Sequence, residues 1–247
     1  MKLDCVLTAV NENKLYIEFI EFFIKTWNKL YPNVDVKIVL VAKKIPDEFS
    51  EYKNNIILFE PIDNISTSSI SQIIRLFYPA ILNYKNGVLI TDIDMIPLNN
   101  KMYSENIINY TNDKFIYYLE NTIFDMKQIA ICYNVAIPEV WKDIFNIKSL
   151  DDIKTYFIKL SKEKKNIEWN YDQKLLYLKV NEWNKKTNNF VCLKLKDVKF
   201  KRLNRHSFKT VDNSIKNNII NGVYTDYHCY RPMSNYSKIN WEIYNIL

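Results

Sequence analysis

Only two of the 247 residues are glycine, Gly87 and Gly222. A dinucleotide-binding G-x-G-x-x-G turn and a P-loop both need several glycines, because backbone amides must approach phosphate closely. Neither can be written with this chain, so any diphosphate it binds must be met by a metal ion and cationic side chains. Cysteine is sparse as well: Cys5, Cys132, Cys192 and Cys229 are scattered, with no C-x-x-C pair. That argues against a zinc site or a disulfide framework and for buried free thiols in a reducing compartment. No apolar run is long enough to cross a bilayer, so no transmembrane segment is expected. The start, Met1-Lys2-Leu3-Asp4-Cys5-Val6, carries an early acid and a short apolar stretch, which reads as a strand and not a signal peptide. The expected location is cytoplasmic.

What is present is core. Hydrophobic residues make up 48% and aromatic residues 15% of the chain, too much for a disordered polymer. The formal charge of +6 is uneven: residues 1–147 sum to −4, residues 148–209 to +10, and residues 210–247 balance. A basic region of this kind can face phosphates or an anionic surface. Many of its lysines (Lys159, Lys162, Lys164, Lys165, Lys185, Lys186) also read as solvated helix and loop surface.

Apolar periodicity predicts the element order. Leu3–Val10 reads as a buried strand, and Tyr16, Phe19, Ile20, Phe23, Trp27 and Leu30 mark a helix. Strands follow at 34–42 and 56–59. A helix is predicted over 69–84, opened by a Ser69/Gln72 capping box and bent or broken at Pro79. Gly87 then turns the chain into the strand Val88-Leu89-Ile90. Apolar runs at 115–119 and 129–135, helices around 139–145, 151–165 and 172–183, and a strand at 190–195 complete the series, with an irregular aromatic tail from Val223. Strand, helix and strand in this alternation imply an α/β fold with a mixed, mostly parallel sheet flanked by helices. With no repeat and no linker, one compact domain over 1–247 is expected.

The central chemistry is Asp92-Ile93-Asp94 at the end of an apolar strand. Two carboxylates at i and i+2 project together and offer hard oxygen donors suited to Mn2+ or Mg2+. With fifteen aspartates, about one D-x-D is expected by chance. Context discriminates: the motif falls at a strand's carboxyl end, where α/β sheets place ligands.

The run Ser69-Ile-Ser-Gln-Ile-Ile-Arg75-Leu-Phe-Tyr-Pro79-Ala-Ile-Leu82, followed by Val88-Leu-Ile-Thr-Asp92-Ile-Asp94, resembles glycosyltransferase family 8, the glycogenin and bacterial galactosyltransferase group. That family carries Arg on a helix, Pro four residues later, and a D-x-D strand at this separation. Its first strand also ends in Thr with a Tyr a turn onward, as Thr8 and Tyr16 do here. The resemblance implies the nucleotide-diphospho-sugar transferase (GT-A) fold. It further implies that Thr8, Val10 and Asn11 line a nucleoside pocket, with Tyr16 against the base. Arg75 would sit by the donor sugar or phosphates, Asp92 would reach the ribose and a metal, and Asp94 would ligate the metal directly. Tyr16 is read equally well as a core aromatic, and Arg75 alternatively as a surface helix residue.

Two further pieces resemble the family with departures. Cys132-Tyr-Asn134-Val-Ala-Ile-Pro-Glu-Val-Trp141 is similar to its Phe-Asn-Ala/Ser-Gly strand and Lys-Trp helix, but the glycine is replaced by Val135 or Ala136. Asp172-Gln173 is similar to its Asp-Gln-Asp box, with Lys174 in place of the second acid. The pair would lie beside the anomeric carbon; otherwise it is a polar helix start. His228 resembles the family's C-terminal histidine and is the candidate third metal ligand, the alternative being a packed core histidine. Arg231 replaces the family lysine and would neutralise the departing diphosphate, with Lys238 as second candidate. His206, in a basic stretch, reads as surface.

These residues imply a metal-dependent glycosyltransferase using a nucleotide-sugar donor; that the donor is a UDP-sugar and that transfer retains anomeric configuration is what the resemblance alone implies. The acceptor would be a glycan, a protein or a small molecule; no nucleic-acid partner is expected. A sugar-1-phosphate nucleotidyltransferase shares the architecture but needs a glycine-rich loop after the first strand, which Thr8-Ala-Val-Asn-Glu-Asn lacks. A non-catalytic carbohydrate- or nucleic-acid-binding protein would explain the basic region but leave the Arg75–Asp94 pattern to chance.

Overall fold

The computed structural model describes residues 1–120, 126–163 and 167–247. Strand β1 (Leu3–Asn11) leads through the short helix α1 (Lys14–Ile17) into α2 (Ile20–Leu30), then β2 (Asp35–Val41) and β3 (Ile56–Phe59). The predicted single helix around Tyr16 to Leu30 is thus two, because Glu18 and Phe19 do not continue the first turn. Next come α3 (Thr67–Ile74), β4 (Gly87–Ile90), β5 (Met95–Pro97), α4 (Met102–Glu105), β6 (Phe115–Tyr117), β7 (Asn134–Ala136) and α5 (Pro138–Phe145). The last third holds α6 (Leu150–Glu163), α7 (Tyr171–Thr187), β8 (Phe190–Cys192), β9 (Arg202–Asn204), α8 (Asn213–Ile220), β10 (Asp226–His228) and α9 (Met233–Ile246).

Among the described residues a seven-stranded sheet runs in the order β3-β2-β1-β4-β7-β6-β8. Pairings β1–β2, β1–β4, β2–β3 and β6–β8 are parallel; β4–β7 and β6–β7 are antiparallel. Parallel strands covered on both faces need near-continuous apolar runs, and all four residues of β4 are buried. A second sheet of three short strands, β5-β10-β9, stands beyond the end of β4. The core is aromatic: Trp27 and Trp141 are fully buried. The Trp141 indole N–H donates to the carbonyls of Val88 (3.2 Å) and Ala136 (3.1 Å), so its polar atom is satisfied inside.

Glycine scarcity has a visible resolution. A Cβ on Gly87 would sit 2.8 Å from Val135 Cγ2 and 3.0 Å from the Lys2 carbonyl oxygen, so the site admits no side chain. Left-handed helix ends that often use glycine use asparagine here, Asn146 after α5 (φ 53°) and Asn188 after α7 (φ 55°).

Several expectations are corrected. The helix predicted from Ser69 is capped by Ser66, whose Oγ accepts the Ser69 N–H (3.1 Å). It ends at Ile74, short of the predicted residue 84, while the expected break at Pro79 is present, with Pro79 in a separate single turn over Tyr78–Ile81. Of the apolar run at 129–135 only its end enters a strand, β7, because Tyr133 takes φ 69° and breaks the extended backbone. The tail from Val223 is not irregular. It forms β10 and the fourteen-residue α9, whose buried face is carried by Met233, Asn240 and Ile243. Among the described residues no helix is long and apolar enough to cross a membrane.

Candidate active site

A cavity of about 590 Å3 opens at the carboxyl ends of β1 and β4 and is floored by the Asp92–Asp94 turn. One backbone bond ties the small sheet to that turn and a second extends the pairing of β9 with β10. Cys229 N–H donates to the Asp94 carbonyl (2.9 Å), and Arg205 N–H to the His228 carbonyl (3.1 Å). Residues far apart in sequence therefore meet on one carboxylate. Asp94 Oδ2 accepts from Arg205 Nη1 at 3.0 Å and Arg231 Nη1 at 3.3 Å, with His228 Nε2 at 3.4 Å. Burial alone would raise the Asp94 pKa. The hydrogen bond and charge of His228, with Arg205 and Arg231, outweigh it and hold the carboxyl below the ordinary aspartate range.

The other pole is built on Arg75, at the end of α3. Its guanidinium donates to Asp92 Oδ1 through Nη1 and to Asp172 Oδ2 through Nη2 (3.2 Å), while Nε holds the Gln72 carbonyl (3.1 Å). Burial disfavours the charged arginine, but the two carboxylates prevail and raise its pKa. Asp172 sits in the first turn of α7, where a carboxylate suits the helix dipole, and its Oδ1 accepts the Gln173 N–H (2.8 Å). Burial pushes the Asp172 pKa up, and Arg75 offsets this only in part.

Val10, Asn11 and Tyr16 line the cavity from β1 and α1, and Gln173 from α7. Asn11 Nδ2 donates to Thr67 Oγ1 (3.0 Å), tying the strand end to α3. Tyr16 is neither a core aromatic nor free: its hydroxyl accepts from Arg231 Nη1 (2.6 Å), and the guanidinium lies 5.0 Å above its ring.

Three candidates stand apart from the lining. Thr8 is wholly buried in β1, with no hydrogen-bond partner for Oγ1 among the described residues. Asn134 is also buried; its Nδ2 donates to the carbonyls of Ala130 (2.7 Å) and Ile131 (2.8 Å). It thereby shapes the wall segment 130–132 without reaching the cavity. Lys238 is exposed on α9, outside the lining. Lys174, where the family motif has an acid, pairs outward with Glu168 at 2.6 Å.

Sequence reasoning passed over Arg205 and Trp169. Arg205 lay unremarked in the basic stretch beside His206, and only the topology of the small sheet brings it to Asp94. Trp169 lines the cavity while 73% exposed; its place three residues before Asp172 was the available signal. Cys132 also lines the wall, but burial pushes its thiol up to about 12, which removes it as a nucleophile.

Among the described residues no group of three or more His, Cys, Asp or Glu side chains clusters as a metal site. Asp94 and His228 do meet, and Asp92 faces the same cavity with a carboxylate 35% exposed. Carboxylates and an imidazole are oxygen and nitrogen donors of a kind that Mn2+ accepts, and of the three only Asp94 and His228 are in contact. Arg75 on Asp92, and Arg205 and Arg231 on Asp94, hold that negative charge now.

The mixed, mostly parallel sheet flanked by helices is the fold of nucleotide-diphospho-sugar transferases, and the cavity lies at its D-x-D turn. No family model matches the chain, and no curated protein matches it. Among solved structures, galactosyltransferase LgtC, determined with donor and acceptor sugar analogs, superposes over 98% of this chain and 94% of its own, with TM-score 0.51 and 10% identity. Glycosyltransferase GlyE of Streptococcus pneumoniae matches over all of this chain with TM-score 0.52 and 15% identity, and the chain spans 60% of GlyE's length. At such identities the shared property is the fold.

Proposed function

We propose that the chain is a glycosyltransferase, moving a sugar from a nucleotide-diphosphate donor, UDP-sugar by preference, to an acceptor hydroxyl with retention. The observation that carries this reading is the convergence of Arg205, Arg231 and His228 on Asp94, at one end of a cavity whose other end holds Arg75, Asp92 and Asp172. The first cluster suits a diphosphate and the second a polyhydroxylated ring. The likeness in fold to LgtC and GlyE supports the same reaction class.

In this reading Val10 and Asn11 face the nucleoside. Tyr16 holds Arg231, and the 31% exposed Arg231 side chain turns from Asp94 to the diphosphate, a better-matched anion. Asp92, Asp94 and His228 would hold Mn2+ or Mg2+, which when bound supplies Lewis-acid stabilisation of the leaving diphosphate. Arg75 orients Asp172 so that its carboxylate accepts from sugar hydroxyls, and the Gln173 amide oxygen faces the charge developing at the anomeric carbon. The acceptor oxygen bonds to that carbon as the bond to the diphosphate oxygen breaks, and the hydroxyl proton passes to the departing diphosphate.

Calorimetric binding of UDP-sugars with Mn2+ or with chelator, on the parent and Asp94→Ala proteins, tests the proposal. Binding and transfer should require the ion and vanish in the variant while the far-UV spectrum persists. Absence of nucleotide-sugar binding by the parent sinks the transferase reading; full activity in chelator removes the metal.

A further inference from the structure

A second cavity of about 360 Å3 adjoins the first and is lined by Arg205, His206, Tyr230, Arg231 and Tyr236. Both arginines also line the main cavity, so they form the partition between the two. The back of the smaller cavity is an aromatic platform. The rings of Tyr230 and Tyr236 lie 5.0 Å apart at 31°. Tyr230 is rigid: its hydroxyl donates to the Phe208 carbonyl, its carbonyl accepts from Asn240 Nδ2 (2.9 Å), and Phe208 packs edge-on at 5.3 Å. Tyr236 is 40% exposed, and its backbone leaves helical geometry inside α9 (φ −124°, ψ 19°). A helix is interrupted at the residue that completes the platform.

Two of the cavity's lining residues, Arg205 and His206, belong to a strongly basic segment. Residues 194–209 carry seven Lys or Arg against one Asp. Among the described residues only Arg202, with Asp226, and Arg205, with Asp94, have carboxylate partners there. Lys194, Lys196, Lys199, Lys201 and Lys209 are exposed. The proposed donor site uses none of these five charges.

We propose that this cavity is the acceptor subsite and that the acceptor is an anionic sugar. The apolar C–H face of its ring would stack on Tyr230 and Tyr236, with its carboxylate or phosphate against Arg205 and His206. Both guanidiniums meet Asp94 through Nη1, so a neutral acceptor would leave their other N–H groups and the His206 imidazole without an anion on this side. An acidic one satisfies them, and the lysine-rich segment draws it in from solution. Because Arg231 and Arg205 are shared, the acceptor lies beside the diphosphate end of the donor, on the side from which retaining attack comes. The inference rests on the transferase reading, and its test separates the two.

Affinities for tetragalacturonate, glucose 6-phosphate and maltotetraose are measured by titration calorimetry on the parent protein and on Tyr236→Ala and His206→Ala, both exposed positions, alongside UDP with Mn2+. The two anionic probes should bind the parent at least about tenfold more tightly than the neutral one, and the stronger of them identifies carboxylate or phosphate as the group recognised. Each substitution should weaken the anionic probes by about tenfold and leave UDP affinity unchanged. Equal binding of maltotetraose, or anionic binding unaltered by Tyr236→Ala, overturns the proposal while UDP binding leaves the transferase reading standing. Tight binding of a single-stranded RNA through the lysines, indifferent to Tyr236→Ala and stronger than either anionic sugar, would overturn it in favour of a nucleic-acid surface. Absence of UDP binding by the parent with anionic-sugar binding intact would sink the transferase reading and leave an anionic-sugar site that is not an acceptor subsite.

Discussion

Replacing Arg75 by methionine removes the charge that joins Asp92 to Asp172 and keeps most of the side-chain volume. The two carboxylates do not suffer equally. The Asp92 side chain is 35% exposed, so water screens it and its pairing contributes little to stability. The Asp172 side chain is 4% exposed, and Arg75 is its ion-pair partner among the described residues. Stripping one member from a buried pair costs about 3–5 kcal/mol, because the other charge is left desolvated. The loss should depend on pH in a fixed direction. Burial already raises Asp172, and without Arg75 it rises further. A carboxyl with a folded pKa above its unfolded one binds more protons when folded, so stability falls as pH climbs through that interval. Urea unfolding of Arg75→Met should therefore show nearly the full penalty at about pH 7.5 and a smaller one at about pH 4.5, where Asp172 can take a proton. Adding Asp172→Asn should recover most of the loss at the higher pH. A penalty below about 1 kcal/mol, or one equal at both pH values, would refute the reasoning, since it would mean that Asp172 is not held as a buried anion by Arg75.

Arg231→Ala should lower kcat for transfer by roughly one to three orders of magnitude with an unchanged melting temperature, the range for losing one charge contact in the transition state; unaltered steady-state kinetics would take the diphosphate role from Arg231. Asp172→Asn should keep UDP affinity but sharply reduce both transfer and slow donor hydrolysis; an effect on transfer alone would place Asp172 against the acceptor. Gly87→Ala forces a methyl against Val135 and the Lys2 carbonyl and should cost about 1–3 kcal/mol by thermal denaturation, whereas a neutral result would mean that β1, β4 and β7 separate readily.

The parts of the fold that apolar periodicity could announce were legible. The strand positions of β1 to β4 and the helices α5 to α7 follow from buried side chains at regular spacing, and periodicity is a local signal. The helix start at Ser66 was missed because Ser66, Ser68 and Ser69 all have capping chemistry, and only the backbone entry angle selects one. The C-terminal helix was missed because its inner face is built from Met233, Asn240 and Ile243 among polar and aromatic residues, and Asn240 earns burial by bonding Tyr227 and Tyr230. In the site, Arg75 and the D-x-D turn were visible because they fall in one short stretch. Arg205 was not, because what recruits it is a strand pairing more than a hundred residues away from Asp94 (|i−j| = 111). Asn134 shows what a motif position does not reveal by itself: its amide nitrogen pins the wall carbonyls of Ala130 and Ile131.

The small β5-β10-β9 sheet carries a kinetic consequence. Its strands are three residues each, and β5 meets β10 across the register Pro97–Asp226 and Met95–His228. Such a union must wait for almost the whole chain to be synthesised and for the larger sheet to give it a surface, since closing long loops precedes any reward from contact. Short ladders are also where native proteins open first. The cluster on Asp94 is therefore expected to form late and to open early. A newly made or partly opened chain can hold its aromatic core intact while the side chains around Asp94 stand apart, so under the proposed reaction transient loosening would silence the protein well before it unfolds.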